Sequence, residues 1–297
     1  MMGFQDGRGV IVGWAYLPNI DLLNLLTHCS WNNNIQISFY YKNKKKDNLV
    51  YYIIKVMELI FLEEVESTNK YAKEHIKDYN DMTLIYTDNQ TNGRGRLDRK
   101  WSYAGKDNIY ASIILKPSEN MKEIYSNLTQ FLCLMLAQTF EDYGVTPTIK
   151  WPNDIQINGK KISGILAEGV IENGKLEGLV LGFGVNLNTK IDFLSKINQP
   201  ATSLNIETGK FIDRKIFLKK LLEKFCLLYD RFIENGFLLI KNDYEKRAGF
   251  FNKEITVKVF DKQISGIAEG ITDTGALILK DKDNKLHTLL IGDILWT

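Results

Sequence analysis

Nine consecutive residues, Gly93-Arg94-Gly95-Arg96-Leu97-Asp98-Arg99-Lys100-Trp101, carry the densest chemistry in the chain. Two glycines free the backbone so that its N–H groups can converge on an anion. Three arginines and a lysine crowd the stretch, opposed only by Asp98. Guanidinium forks match phosphate oxygens, so the stretch reads as a phosphate clamp rather than a solvated basic loop. Trp101 closes it with a face for an aromatic ring. Lys161, near a hairpin turn, adds a further cation, and Asp154 beside it a carboxylate. No nucleophile with a paired base is evident, and His28, His75 and His287 form no cluster. Such a set suits a reaction in which two anions are brought together while the protein supplies positive charge. Carboxylate attack on the α-phosphate of ATP is one such reaction. Neither a Gly-x-x-x-x-Gly-Lys-Ser/Thr loop nor a Gly-x-Gly-x-x-Gly turn is present, which argues against a P-loop and against a dinucleotide oxidoreductase.

The elements that must position these residues follow from the apolar pattern. Leu59–Leu62 reads as a strand, and Ser67-Thr68-Asn69 then starts a helix to about Tyr79 that buries Tyr71, Ala72 and Ile76. Residues 83–87 and Asn108–Lys116 give two more strands. Met121–Tyr143 is a long amphipathic helix, Ile124 among its stripe, and Thr148–Trp151 a short strand ending at Pro152. Asn158-Gly159 and Asn173-Gly174 predict two type I′ hairpins joining Asp154–Ile157, Lys161–Ile171 and Lys175–Leu187. A two-residue first turn pairs Gln156 with Lys161 and Asp154 with Ser163, and sets Asn153 opposite Gly164. In the third strand Leu181, Phe183, Val185 and Leu187 form a core face; Gly182, Gly184, Asn186 and Asn188 form a face without bulk, where a ligand or another backbone comes close. Residues 189–209 read as irregular. Asp213 caps a long helix with Ile216, Phe217, Leu221, Phe225, Leu228, Tyr229 and Phe232 buried, and Leu238–Ala248 is a further helix. Five short strands after Gly249 suggest a small β-barrel.

The formal charge of +2 divides unevenly over the 297 residues: residues 1–56 carry +3 and the remainder −1. Positive charge in the main body is therefore focused in the loop, which favours a small anionic ligand over a long nucleic acid. Cys29, Cys133 and Cys226 are too scattered for a disulfide framework or a zinc site, so a reducing cytoplasm is the simplest compartment. No run is apolar and long enough to suggest a membrane partner. Residues 1–56 show no sustained helical period; they read as an added segment or a mis-assigned start ahead of Met57.

Five stretches, taken together, resemble a known family. They are Glu66-Ser67-Thr68-Asn69, Gly93-Arg94-Gly95-Arg96 through Arg99-Lys100-Trp101, Lys150-Trp151-Pro152-Asn153-Asp154, Lys161-Ile162-Ser163-Gly164-Ile165-Leu166 and Gly182-Phe183-Gly184-Val185-Asn186-Leu187-Asn188. In order and kind they are similar to the successive motifs of biotin–protein ligases, and Ala201-Thr202-Ser203-Leu204 resembles a further family segment. The resemblance implies an α+β fold: a mixed β-sheet with helices on one face, like the catalytic domain of class II aminoacyl-tRNA synthetases, plus a small C-terminal SH3-like β-barrel. It divides the chain into residues 1–56, a catalytic domain at 57–250 and the barrel at 251–297. It also implies ATP and Mg²⁺ as cofactors and biotin as substrate. Biotinyl-5′-AMP forms first, and biotin then passes to a lysine of a biotin carboxyl carrier domain of a biotin-dependent carboxylase.

Carried over by position, Ser67, Thr68, Asn69 and Gln90 resemble the contacts to biotin's ureido head, joined at the biotin site by Gly93, Arg94, Arg96, Lys161 and Gly164. Arg94, Arg96, Arg99, Trp101, Asn153, Asp154 and Asn186 resemble the nucleotide side, with Asp154 the Mg²⁺ candidate. Lys161 and Arg94 are the implied catalytic residues. Gly164, Gly182 and Gly184 would leave room for ligand, and the loop would order over it. Leu97 and Asp98 depart from the more basic, glycine-bearing pair of some members. Residues 1–56 do not resemble the winged helix of members that also repress transcription. A monofunctional ligase is the leading reading. The alternatives are a bifunctional ligase and DNA-binding repressor, supported by the Lys42–Lys46 cluster alone, a related lipoate or octanoyl transfer enzyme, and a non-catalytic biotin-binding module. Some members dimerise by sheet edges, which leaves a homodimer open.

Overall fold

The computed structural model describes residues 10–17, 20–27, 34–45, 48–96, 99–116 and 125–295. Leu97, Asp98, Met121, Ile124, Cys29, His28 and Lys46 lie outside them. In chain order the elements begin with strands β1 (Val10–Leu17), β2 (Ile20–Thr27), β3 (Asn34–Lys45) and β4 (Asn48–Val65). Helix α1 (Thr68–Glu74) leads to β5 (Thr83–Gln90), the two-residue strands β6 (Gly93–Arg94) and β7 (Lys100–Trp101), and β8 (Ile109–Leu115). Helix α2 (Tyr125–Glu141) precedes β9 (Pro147–Lys150), β10 (Asp154–Ile157), β11 (Lys160–Glu172) and β12 (Lys175–Val185). Short helices α3 (Ile191–Leu194) and α4 (Leu204–Thr208) fall in the stretch expected to be irregular, followed by α5 (Arg214–Asn235) and α6 (Lys241–Glu245). The chain ends in β13 (Glu254–Val259), β14 (Lys262–Ile271), β15 (Leu277–Lys280), β16 (Leu286–Leu289) and β17 (Asp293–Leu295).

Ten strands form one sheet in the order β1-β2-β3-β4-β5-β8-β12-β11-β10-β9. The β4–β5 pair is parallel and the others antiparallel, so the sheet is mixed as expected. The described strands of residues 10–56 continue this sheet, and Met57 lies inside β4 opposite Ile37. Both Asn-Gly pairs adopt the double positive φ of a type I′ turn, 51° and 74° at Asn158-Gly159 and 50° and 76° at Asn173-Gly174. The first hairpin departs from its expected register. Gln156 pairs with Lys161, but Ile162 bulges, so Ile155 pairs with Ser163 and Asp154 with Gly164. Asn153 is thereby displaced from Gly164 and instead exchanges bonds with Ile165, its carbonyl accepting from the Ile165 N–H at 2.9 Å and its Nδ2 donating to the Ile165 carbonyl at 2.8 Å.

Alternation sorts the two faces. Leu84, Ile113, Leu115, Leu181, Phe183 and Val185 point to the large core, where α2 brings Phe131, Leu132 and Met135 and α5 brings Phe217, Leu221, Phe225 and Phe232. Residues one step out of phase, Ile85, Ile114 and Val180, meet Ala72 and Ile76 of α1 on the opposite face. The two long helices thus share a face, and α1 packs on the other. Asp213 caps α5, its Oδ1 accepting from the N–H of Lys215 (2.8 Å) and Ile216 (3.2 Å). Ile216, expected in the core, is 54% exposed because it sits a hundred degrees round the helix from Phe217, which leads the buried stripe. Tyr71 is only half-buried, and α1 ends at Glu74 in a run of turns. The helix expected over Leu238–Ala248 is likewise cut short: Ala248 bridges Ile149, and the Ile149 N–H donates to the Arg247 carbonyl (2.6 Å). That contact covers the outer edge of β9, which would otherwise present unpaired backbone.

The five C-terminal strands form an antiparallel sheet in the order β16-β15-β14-β13-β17. This is the small C-terminal β unit expected; its two edge strands are not paired with each other among the described residues. Val257, Leu277 and Leu279 join the main core. The tip of the β14–β15 turn docks on α2: Gln130 Nε2 donates to the Gly275 carbonyl (2.9 Å), Trp151 Nε1 to the same oxygen (3.3 Å), and Asn127 Nδ2 to Thr274 (2.9 Å). Gly275 has φ +81°, and a Cβ there would lie 2.3 Å from Asn127 Nδ2. Gly275→Ala is therefore expected to cost about 1–3 kcal/mol. A urea denaturation curve checks this, and an unchanged midpoint would show that the turn yields. Among the described residues no helix is long and apolar enough to cross a membrane.

Candidate active site

On the α1 face of the sheet, over β8, β12 and β11, lies a cleft open to solvent. Ser67, Thr68, Asn69, Gln90, Arg94, Arg96, Arg99, Trp101, Asn153, Asp154, Lys161 and Gly164 all line it. Sequence separations of up to about a hundred residues collapse into this one wall. Two expected site residues stand apart. Gly93 is buried beneath the loop, where a Cβ would meet Gln90 Nε2 and the Trp101 carbonyl, each at 2.4 Å. Asn186 lies in an adjoining hollow shared with Lys100, Trp101, Lys161 and Gln199, its Nδ2 donating to the Thr202 carbonyl at 3.1 Å.

One end of the cleft is lined by the neutral side chains of Ser67, Thr68, Asn69 and Gln90, with the Glu168 carboxylate behind them. The Thr68 N–H and hydroxyl both donate to Gln90 Oε1, at 2.9 and 3.2 Å. Ser112 Oγ donates to Asn69 Oδ1 (2.6 Å) and lies 2.8 Å from Thr68 Oγ1. Asn69 Nδ2 donates to the Leu166 carbonyl (3.1 Å) and to Glu168 Oε2 (2.9 Å). Sheet register explains the arrangement: Ser112, Gly182 and Leu166 are paired in a row across β8, β12 and β11, and Asn69 lies over the glycine in the middle. Ser67 caps α1, accepting from the Lys70 N–H at 3.4 Å, and so fixes the side chains that follow it.

The other end is cationic. The loop is closed by the Gly95 N–H donating to the Arg99 carbonyl (2.7 Å) and the Arg99 N–H to Arg96 (3.2 Å). Arg96 Nη1 lies 3.5 Å from Asp293 Oδ1 and donates to Asn153 Oδ1 at 3.4 Å, while Arg94 Nη1 lies 3.8 Å from Glu168 Oε1. Lys161 Nζ is 2.7 Å from Asp154 Oδ1, and both side chains are largely shielded from water. The bulge at Ile162 helps place Lys161, whose N–H donates to the Pro200 carbonyl and whose carbonyl accepts from the Thr202 N–H, both at 2.9 Å. Nearby Lys150 is pushed below the usual ammonium range by burial, opposed by Asp154 and reinforced by Lys161 and Arg99. Burial likewise drives the Cys133 thiol well up, with Asp154 adding to the effect.

Gly164 and Gly184 pair directly across β11 and β12, and the room they leave is filled by protein. A Cβ on Gly184 would lie 2.2 Å from Trp101 Cε2, and one on Gly164 would lie 3.2 Å from Trp101 Cζ3 and 3.0 Å from Lys161 Nζ. The indole therefore rests in a two-glycine notch, with Lys161 Nζ 5.7 Å from its ring centroid. Gly182 makes the corresponding room for Asn69. Sequence reasoning missed Ser112, Glu168 and Asp293. Glu168 could have been found by counting two and four on from Gly164 along β11. Asp293 carried no local signal, since it arrives from the last strand. No cluster of three or more His, Cys, Asp or Glu able to hold a metal occurs among the described residues. Asp154 alone could share a divalent cation with ligand phosphates, as Mg²⁺ sites often do.

Comparison with known proteins supplies an independent line. Residues 61–186 match the Biotin/lipoate A/B protein ligase family, and residues 250–295 the Biotin protein ligase C terminal domain. The bifunctional ligase/repressor BirA of Bacillus subtilis (strain 168) is 33% identical over 228 residues, 76% of this chain and 70% of that protein. The biotin–[acetyl-CoA-carboxylase] ligase of Paracoccus denitrificans is 28% identical over 225 residues, 74% of this chain and 92% of that protein. Among solved structures, biotin protein ligase from Aquifex aeolicus in complex with biotin and ATP is similar with a TM-score of 0.68 and 30% identity, covering 80% of this chain and 97% of that one.

Proposed function

The chain belongs to the biotin–protein ligase family and is a ligase, and from that premise we propose that its cleft joins biotin to ATP and passes the biotinyl group to a lysine of a biotin carboxyl carrier domain. The carrying observation is the polarity of the cleft lining, with the neutral Thr68, Asn69 and Gln90 at one end and the cations Arg94, Arg96 and Lys161 beyond them. Biotin has the matching polarity, a neutral ureido ring at one end and a carboxylate at the other. Its ring would lie against Thr68, Asn69 and Gln90, and its carboxylate would reach Lys161.

In the first step a biotin carboxylate oxygen attacks the α-phosphorus of ATP, the bond to the β-phosphate oxygen breaks, and pyrophosphate leaves. Lys161 and Arg94 face the negative charge that gathers at the α-phosphate, and preorganised cations there lower the barrier without becoming covalently involved. Arg96, Arg99 and Asn153 would bind the nucleotide's phosphates, with the ring of Trp101 beside them and Asn186 at the rear of the hollow. Asp154 would hold Mg²⁺ at this end of the cleft, where the cation would neutralise part of the polyphosphate charge. In the second step the neutral ε-amine of the acceptor lysine attacks the mixed anhydride, forming an amide and releasing AMP and a proton. A cytoplasmic setting, where ATP and carboxylases occur together, suits this chemistry.

Biotin-dependent ATP–pyrophosphate exchange tests the first step. Exchange is expected with biotin and not with lipoate; exchange with lipoate alone would move the protein to the lipoate branch, and none with either would overturn the reading. The description of the Bacillus relative as a ligase/repressor motivates a second reading, in which the chain also binds DNA. A mobility shift at low salt that depends on biotin would establish it, and its absence would remove it.

A further inference from the structure

Each of three clamp cations has a carboxylate beside it: Lys161 has Asp154, Arg96 has Asp293 and Arg94 has Glu168. The last pair differs in how its anion is held. Glu168 Oε1 lies 2.7 Å from Lys73 Nζ, and Oε2 accepts from Asn69 Nδ2 at 2.9 Å, so α1 fixes the carboxylate independently of the loop. Burial alone would raise its pKa, yet the hydrogen bonds from Lys73 and Asn69 and the charges of Lys73 and Arg94 together hold it below the usual carboxylate range. Glu168 is thus an anchored anion at neutral pH. Arg94 is the opposite, about half exposed, 3.8 Å away and carried on a two-residue strand. That distance is a charge contact rather than an aligned hydrogen bond, and an arginine can leave it at small cost.

We propose that Glu168 is a positioning residue that parks Arg94 in the ligand-free enzyme and is the counter-ion Arg94 exchanges for a phosphate oxygen of the entering nucleotide. The inference rests on the cleft being the adenylating site. An anion that enters must outcompete Glu168 for Arg94, so the carboxylate weakens the hold of the empty cleft on bare polyanions. The sign of this effect is diagnostic. A residue that merely supports the fold would weaken every ligand when removed, whereas removal of a parking anion strengthens anion binding.

Inorganic pyrophosphate, titrated calorimetrically without nucleotide or biotin at low salt, is the probe. Glu168→Gln keeps the shape and an acceptor for Asn69 while losing the charge. It is expected to bind pyrophosphate about two- to five-fold more tightly than wild type, as befits one half-exposed ion pair. The gain should shrink at high salt and vanish in an Arg94→Gln background. Unchanged or weaker binding by Glu168→Gln overturns the proposal, as does an equal gain without Arg94, which would report only a change in overall charge. Should Glu168→Gln fail to fold, Glu168→Asp keeps a charge for Lys73 but draws it back from Arg94, and must shift binding in the same direction. Wild-type exchange activity with no such gain overturns this inference alone. Absence of exchange in the wild type overturns the functional reading, because pyrophosphate binding requires no turnover.

Discussion

Lys161→Ala lowers biotin-dependent ATP–pyrophosphate exchange by about 10²–10³-fold, the usual cost of losing one preorganised group that faces transition-state charge. The expectation follows from where the ammonium sits. It is shielded from water, beside the indole of Trp101, and at the junction of the neutral and cationic ends of the cleft. A cation in such surroundings acts on developing charge with little solvent screening. The same substitution strips Asp154 of its partner at 2.7 Å, and a shielded carboxylate left alone costs about 3–5 kcal/mol. Lost exchange could then reflect lost fold. Combining Lys161→Ala with Asp154→Asn separates the two, because it removes the orphaned charge. Thermal melting of the double variant should recover towards wild type, while its exchange, read against Asp154→Asn alone because Asp154 itself lines the cleft, stays about 10²–10³-fold lower. Recovery of exchange together with the melt would show that Lys161 serves the fold rather than the reaction.

Much of this arrangement is legible in the chain, and the illegible parts share a cause. The Asn158-Gly159 and Asn173-Gly174 turns announce themselves because only a few residues tolerate two successive positive φ angles. The buried face of β12 is legible through strict alternation from Leu181 to Val185. The bulge at Ile162 is not, since an apolar residue there fits both the regular and the bulged strand, and the backbone partners of the preceding Lys161 lie some forty residues away at Pro200 and Thr202. Asp293 is invisible for a similar reason: its meeting with Arg96 exists only after the C-terminal unit docks through Gly275. The helix expected over Leu238–Ala248 is cut short because local pattern cannot foresee that Ala248 will be claimed by the edge of β9. The glycine face of β12 is the instructive intermediate. Its lack of bulk predicts that something approaches closely, but the identity of the visitor depends on a neighbouring helix and loop.

That visitor is Asn69 at Gly182, and the distinction has a large consequence. A Cβ on Gly182 would stand 1.8 Å from Asn69 Oδ1 and 2.5 Å from its Cγ, with sheet backbone on either side. Asn69 is almost fully buried, so Gly182→Ala must drive its amide off Ser112, Leu166 and Glu168 together. Each abandoned buried partner costs about 1–3 kcal/mol, and the head of the ligand loses the wall that orients it. The KM for biotin is expected to rise about 10- to 100-fold, with a stability loss of about 3 kcal/mol or more from the abandoned partners and overpacking together. The background decides what the glycine is for. If it makes room for Asn69, then in Asn69→Ala, where the clash is gone, adding Gly182→Ala should change the KM for biotin little further. If instead the glycine makes room for the ligand itself, the second substitution will cost as much in Asn69→Ala as in wild type, and the notch over β12 will have to be reassigned from protein to substrate.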